Sequence, residues 1–253
     1  MQTKIQKRKI EKIIHFLLIV HLLFGIQNAY SQGRIFAVVV GVSEYENPIN
    51  NLKYCHKDAE EFYNLLKPHT TTDRMKLLTD VGARHSNIVF YAQQLFRQAK
   101  PEDIVIFYFS GHGNNNRFIT HDKSLYFKTL QKIFRECNAD RKMIFADACY
   151  AGTLRQEGNS SGRQNVGKNV MLFMSSRSNQ MSIEYLNLQN GLFTYYLISG
   201  LKGEADANRD NYITAFELFN YVNPKVKQST NEKQVPVMWG NFDKNMVILK
   251  TEN

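Results

Sequence analysis

One histidine and one cysteine each follow an apolar run that has the composition of a buried strand. His112 comes after the run 104–109, and Cys149 comes after the run 143–147. Cysteine attacks a carbonyl as its thiolate, and its free pKa of about 8.5 leaves it mostly protonated at neutral pH unless a base such as histidine assists. The two residues therefore predict thiol-based hydrolysis if the fold brings them together.

The elements that must position this pair are alternating apolar runs and amphipathic stretches. Such alternation predicts an α/β fold with a mainly parallel sheet and helices on both faces. The predicted strands cover residues 35–41, 75–79, 104–109, 143–147, 170–174 and 246–249. The predicted helices cover residues 57–66, 87–99 with Ser86 as its cap, 124–137, 192–201 and 215–221. Ligands of such sheets bind beyond the carboxyl ends of the strands, where His112 and Cys149 both fall.

The N-terminus has the composition of a secretory signal peptide. Five basic residues precede an apolar run over 13–26, and Ala29 and Ser31 are small residues at the positions that a signal peptidase favours. We therefore expect a signal peptide over 1–31, a mature start at Gln32, and export to the periplasm or beyond without stable membrane insertion. The alternative is an uncleaved amphipathic or membrane anchor on an intracellular protein.

The net charge and the cysteines of the remaining chain limit the classes of protein to which it can belong. Removal of residues 1–31 takes away five basic residues and one acidic residue, which lowers the net charge from +9 to +5. No run of Lys or Arg with interleaved aromatics remains, so a nucleic-acid surface is not predicted. The three cysteines form no CxxC pair, and their odd number is compatible with a working thiol. We expect one domain over 32–253, interrupted by a flexible loop at 153–169.

Several strings of the chain resemble those of caspase-like cysteine peptidases, the peptidase C14 group that includes caspases, metacaspases and clostripain-type enzymes. The resemblance rests on residues 104–113 (IVIFYFSGHG), 144–149 (IFADAC), 41–42 and 52–59. It implies a three-layer sandwich with about six strands, and protein or peptide substrates hydrolysed without a cofactor. It also implies Cys149 as nucleophile, His112 as general acid/base, and an oxyanion hole from the N–H groups of Gly113 and Cys149. The competing reading is a catalytically inactive caspase-like module for binding or regulation.

Specificity follows from the charge next to the nucleophile. Caspases that cleave after aspartate carry Gln two residues before the cysteine, whereas this chain carries Asp147 there. By resemblance to metacaspases, Asp147 and Asp58 would form a pocket for Arg or Lys, with Ser110 as a neighbouring acceptor. A simpler reading of Asp58 is a residue that favours a helix start.

A second candidate site has the ligand spacing of an EF-hand calcium loop over 206–217. Its ligands would be Asp206, Asn208, Asp210, the Tyr212 carbonyl, Thr214 through water, and Glu217. Position six of the loop carries Asn211 in place of glycine, and asparagine tolerates a left-handed backbone better than most residues. A vestigial turn and helix cap is the alternative.

The loop at 153–169 lies where caspase-like enzymes are often cut into two parts. It contains Arg155, Arg163 and Lys168, which match the predicted preference of the enzyme itself. Self-cleavage here is a hypothesis that stands beside a plain connecting loop. The sequence leaves the physiological substrate and the oligomeric state open.

Overall fold

The structure is a computed structural model, and it describes residues 33–48, 51–114, 116–148, 169–176, 189–251 and the backbone of 184–185. Gly33–Asn253 forms one compact unit. The predicted signal peptide and most of the 153–169 loop lie outside the described residues. Among the described helices, none is long and apolar enough to cross a membrane.

A six-stranded sheet forms the centre of this unit. Its strands are β1 (Ile35–Gly41), β2 (Met75–Thr79), β3 (Ile104–Gly111), β7 (Arg141–Ala148), β8 (Val170–Met174) and β12 (Val237–Asn241). Their order is β12-β8-β7-β3-β1-β2, and every neighbouring pair is parallel except β12 with β8. Because the central strands are covered on both faces, their sequences are continuous apolar runs rather than alternating ones. The expected fold class, a mainly parallel sheet of about six strands flanked by helices, is confirmed.

Helices cover both faces of the sheet and divide the core in two. The helices are α1 (Cys55–Leu66), α2 (His85–Phe96), α3 (Phe127–Arg135), α4 (Leu192–Ser199) and α5 (Ala215–Ser229). α1, α4 and α5 pack with the side chains on one face of the sheet, and α2 and α3 pack with those on the other. On the first face Phe62 of α1 is fully buried and stacks on Tyr108 of β3, with ring centroids 4.4 Å apart.

Smaller sheets lie outside the central one. They are formed by β4 (Gly113–Asn114) with β5 (Arg117–Ile119) and β6 (Ser124–Tyr126), by β9 (Glu184–Tyr185) with β10 (Asn190–Gly191), and by β11 (Tyr212–Thr214) with β13 (Val247–Lys250). The first of them begins directly after His112. The predicted helix over 124–137 is therefore too long at its start, because residues 124–126 pair with β5.

Two helix ends also differ from the sequence prediction. Ser86 does not cap α2; instead the Asp122 carboxylate accepts the His85 N–H at 2.9 Å. α5 continues to Ser229 although Pro224 lies inside it. Proline removes one helical hydrogen bond, but burial of Val222 and Val226 favours continuation of the helix.

Candidate active site

His112 lies just beyond the carboxyl end of β3, and Tyr45 holds its backbone. The His112 N–H donates to the Tyr45 hydroxyl at 2.8 Å, and the two rings lie 5.0 Å apart. The preceding Gly111 has a φ of 156°, and a Cβ there would lie 3.0 Å from the Tyr45 hydroxyl and 3.0 Å from the Phe109 ring. A side chain at position 111 would therefore displace the residue that fixes His112.

The N–H group of Gly113 points away from the neighbouring strand. Ile119 N–H donates to the His112 carbonyl at 2.9 Å, which makes 112/119 a hydrogen-bonded pair. Hydrogen-bonded and non-hydrogen-bonded pairs alternate along an antiparallel ladder, and the next pair is Gly113 with Phe118. The Gly113 N–H is consequently directed to the side opposite β5 and not into the ladder.

The register of the central strands brings the carboxyl ends of β3 and β7, which precede His112 and Cys149, side by side. β3 and β7 pair Ser110 with Asp147 and Gly111 with Ala148. His112 and Cys149 are the next residues along the two chain segments. Cys149 itself lies outside the described residues. Ala148 before it is anchored to β8, because its N–H donates to Ser175 Oγ at 3.1 Å and its carbonyl accepts from Ser175 at 3.2 Å.

Asp58, Ser110 and Asp147, the predicted substrate-binding residues, meet at this same edge of the sheet. The Ser110 hydroxyl donates to Asp58 Oδ2 at 2.8 Å, and the Gly191 N–H donates to Asp58 Oδ1 at 2.9 Å. The two carboxylates face the same small space, since a Cβ built on Gly191 would lie 2.2 Å from Asp147 Oδ2 and 2.9 Å from Asp58 Oδ2. The three predicted residues therefore form one cluster, whose Ser110 precedes His112 by two residues.

Burial gives this cluster an unusual electrostatic state. The exposed fraction is 2% for Asp58 and 4% for Asp147. Burial, followed by the negative charge of Asp147, raises the pKa of Asp58 well above its usual range, and the hydrogen bonds from Gly191 and Ser110 offset this in part. Two carboxylates in one desolvated space repel each other, so the arrangement favours a bound cation or a bound proton. The simpler reading of Asp58 as a helix-start residue does not account for its burial next to Asp147.

Sequence reasoning missed the residues that support Asp147. Thr194, in the first turn of α4, donates to Asp147 Oδ2 through its N–H at 3.2 Å and through its hydroxyl at 3.0 Å. The Thr194 hydroxyl lies 2.6 Å from the hydroxyl of Tyr108. Threonine and tyrosine in apolar runs give no signal of this kind in a single sequence. The one local signal near them is the Asn190-Gly191 dipeptide before α4, which is typical of a tight turn.

The 206–217 segment forms a loop with some features of a calcium site. Asp210 N–H lies 3.2 Å from Asp206 Oδ1 and 2.9 Å from Asn208 Oδ1, so these oxygens converge on one point. Asn211 has a φ of 67°, the left-handed conformation expected at position six. The Glu217 carboxylate accepts from Thr214 N–H and hydroxyl in a capping box at the start of α5.

Metal binding by this loop stays a prediction. Among the residues that the structure describes, no group of three or more His, Cys, Asp or Glu side chains is placed to hold a metal ion. One carboxylate oxygen, from Asp206, and one amide oxygen, from Asn208, lie near one point, and both are ligand types of a hard cation. Glu217, which would close the site, is instead engaged at the helix cap.

The model of the caspase domain family (Peptidase_C14) matches residues 34–247. The chain belongs to this family, which confirms the resemblance seen in its sequence.

Individual relatives agree with this assignment. Metacaspase-1 of Debaryomyces hansenii is 30% identical over 105 residues, which are 38% of this chain and 24% of that protein. Metacaspase-2 of Arabidopsis thaliana is 35% identical over 91 residues, 33% of this chain and 22% of that protein. The chain thus spans about a quarter of the length of these relatives. The crystal structure of Caspase-1 from Spodoptera frugiperda superimposes with a TM-score of 0.67 at 15% identity, covering 87% of this chain and 92% of that one, which shows the common fold.

Proposed function

We propose that the protein is a cysteine endopeptidase that uses Cys149 and His112 as a dyad. The observation that carries this proposal is the register of β3 and β7, which aligns Gly111 with Ala148 directly before the two residues. Cys149 attacks the peptide carbonyl, and His112 protonates the leaving amine. The N–H groups of Gly113 and Cys149 stabilise the oxyanion. The Gly113 N–H, which is directed away from β5, is compatible with that role.

We further propose that cleavage follows Arg or Lys. The buried pair of Asp58 and Asp147 presents two carboxylates to one small space, and Ser110 adds a hydroxyl at its edge. A guanidinium or ammonium group neutralises this repulsion and receives charge-assisted hydrogen bonds. An aspartate side chain at the same position would add a further carboxylate to this desolvated space.

A fluorogenic peptide assay tests both proposals. Matched peptides that differ only in Arg, Lys or Asp before the scissile bond are incubated with the wild-type protein, with Cys149→Ala and with Cys137→Ala. Cys137 is buried in the core on the face of the sheet covered by α2 and α3, so its variant controls for the loss of a thiol elsewhere. We expect Arg and Lys peptides to be cleaved by all but Cys149→Ala. Absence of activity in the wild-type protein would favour the inactive binding module.

Calcium binding at 206–217 is a separate proposal. It is supported by the left-handed Asn211 and by the converging oxygens of Asp206 and Asn208. Binding of Ca²⁺ requires the Glu217 carboxylate to turn from its cap into the loop. We expect millimolar Ca²⁺ to raise the melting temperature of the wild-type protein but not of Asp206→Ala; equal melting temperatures with and without Ca²⁺ in the wild-type protein contradict the site.

We also propose that the protein is exported to the periplasm or secreted, and that residues 1–31 are removed. The support is the basic and apolar composition of the N-terminus and the small residues Ala29 and Ser31. N-terminal sequencing of the protein from cells that express it should give Gln32. An intact Met1 would favour the anchored alternative.

Self-cleavage within 153–169 completes the set of proposals. The segment lies mostly outside the described residues, and its basic residues Arg155, Arg163 and Lys168 carry the hypothesis. Intact masses of wild-type protein and Cys149→Ala should differ, with the wild-type protein cut after one of these residues. Identical, unprocessed masses would leave the segment as a connecting loop.

A further inference from the structure

Three side chains, two with hydroxyl groups and one with a carboxylate, form a row of hydrogen bonds at the proposed specificity pocket. Tyr108 lies in the middle of the sheet and is fully buried. Its hydroxyl is 2.6 Å from Thr194 Oγ1, and Thr194 Oγ1 is 3.0 Å from Asp147 Oδ2. Tyr108 comes from β3, Thr194 from α4 and Asp147 from β7, so three separate elements meet in this row.

The direction of the hydrogen bonds in this row is fixed by chemistry. The Thr194 hydroxyl has one proton, and it donates this proton to the Asp147 carboxylate. Thr194 Oγ1 must then accept from Tyr108. Tyr108 keeps its proton, because burial, with the nearby charges of Asp58 and Asp147, raises the pKa of its hydroxyl well above the usual range. The Tyr108 hydroxyl therefore donates to Thr194, and the Thr194 hydroxyl donates to Asp147.

The two carboxylates of the pocket are held by different donor groups. Asp147 Oδ2 receives two donors from the same residue, the N–H and the hydroxyl of Thr194, while each oxygen of Asp58 receives one. Both carboxyl groups therefore receive two of these donors. Hydrogen bonds to a carboxylate favour its ionised form. Burial and the negative charge of Asp147 raise the pKa of Asp58 well above its usual range, so Asp58 takes up a proton readily as the pH falls.

We propose that Thr194, oriented by Tyr108, is a positioning residue for substrate specificity: it holds the Asp147 carboxylate in place in the pocket that receives the basic side chain of the substrate. This inference rests on the proposed preference for Arg or Lys. A cation that binds Asp147 brings its charge next to Asp58 and releases the proton held there.

The binding of basic substrates should therefore depend on pH. The ionisable groups that face Asp58 are Asp147 from β7, Tyr108 from β3, and Glu61 from its own helix α1; α4 contributes none. Because Asp58 is protonated at low pH, KM for an Arg peptide should fall as the pH rises through its raised pKa. Removal of the Thr194 hydroxyl leaves the ionised pair of Asp58 and Asp147 less stabilised, so the midpoint of this fall in KM should move to higher pH.

The test compares Thr194→Val, which keeps the branched shape and loses the hydroxyl, with Thr194→Ser, which restores it. KM and kcat for an Arg peptide are measured from pH 5 to 9. Because a hydrogen bond to a charged group contributes a free energy that corresponds to about tenfold or more in affinity, KM of Thr194→Val should rise by about that factor at neutral pH. We expect kcat to change much less, and Thr194→Ser to match the wild-type protein. The rate of Cys149 alkylation by iodoacetamide, which does not use the pocket, should be the same in all three.

The outcomes separate this inference from the proposed function. A wild-type protein that cleaves no Arg or Lys peptide overturns both. A wild-type protein that cleaves them, with the same KM and pH midpoint in Thr194→Val, overturns this inference alone. If Thr194→Val fails to fold, Tyr108→Phe replaces it, since it keeps the ring that stacks on Phe62 and removes only the donor to Thr194. An unchanged KM and midpoint in Tyr108→Phe also overturns the inference.

Discussion

A methyl group at Gly191 should close the proposed specificity pocket. Gly191 lies between the pair of carboxylates, and its N–H donates to Asp58 Oδ1. A Cβ there would be 2.2 Å from Asp147 Oδ2 and 2.9 Å from Asp58 Oδ2. To restore an ordinary van der Waals distance from this Cβ, the Asp147 carboxylate must move by about 1 Å. Displacements of this size in an enzyme site lower the rate by about 100-fold. Gly191→Ala should therefore lower kcat/KM for Arg and Lys peptides by about that factor.

The assay uses the same fluorogenic Arg peptide for Gly191→Ala and for a matched variant, Gly82→Ala. A Cβ at Gly82 would meet nothing within 4 Å, so that variant should keep wild-type kcat/KM. Circular dichroism and melting temperature show whether Gly191→Ala remains folded, and iodoacetamide alkylation shows whether Cys149 remains reactive. A folded Gly191→Ala protein that cleaves the Arg peptide as fast as the wild-type protein would refute the assignment of this space as the specificity pocket.

Three further predictions concern stability and the dyad. Asp58→Asn should raise the melting temperature at pH 8 and lose this advantage towards pH 4. The raised pKa of Asp58 stabilises the wild-type protein at low pH, and this stability is lost as the pH rises through that pKa, whereas asparagine stays neutral at both pH values. A variant less stable than wild type at pH 8 would contradict this prediction. Phe62→Ala, which removes a fully buried ring stacked on Tyr108, should lower the free energy of unfolding in urea by about 3–5 kcal/mol, and a loss below about 1 kcal/mol would show that this face repacks. Tyr45→Phe removes the acceptor of the His112 N–H and should reduce kcat about tenfold with the fold intact; unchanged kcat would exclude Tyr45 from positioning His112.

The central strands β1, β3, β7 and β8 were predictable because each contains an apolar run that the sheet buries. The edge strand β12 was not predicted, and the strand expected over 246–249 forms β13, which pairs with β11 outside the central sheet. β1, β2 and β8 begin and end at the residues expected from the sequence, and β3 and β7 extend the expected runs by a few residues. The parallel order then followed from strands alternating with helices. This same reasoning placed His112 beyond the end of β3, whereas the grouping of Asp58, Ser110 and Asp147 into one pocket came from the resemblance to metacaspases.

What the sequence did not reveal depends on contacts between distant segments. Residues 124–126 were expected to be helical, but they pair with β5, and no local signal marks that pairing. The cap of α2 comes from Asp122, which is 37 residues away along the chain. The sequence patterns around Thr194 and Tyr108 predict only a helix and a buried strand, since the two hydroxyl groups acquire a role only when α4 packs against β3 and β7.

The most direct measurement is the cleavage of a complex peptide mixture, with the residue before each new cut read by mass spectrometry. The wild-type protein should produce cuts after Arg and Lys, and Cys149→Ala should produce none. His112→Ala should likewise produce none, since it lacks the acid that protonates the leaving amine. Cuts after Asp, or cuts that persist in Cys149→Ala, would contradict a Cys149–His112 peptidase whose specificity is set by Asp58 and Asp147.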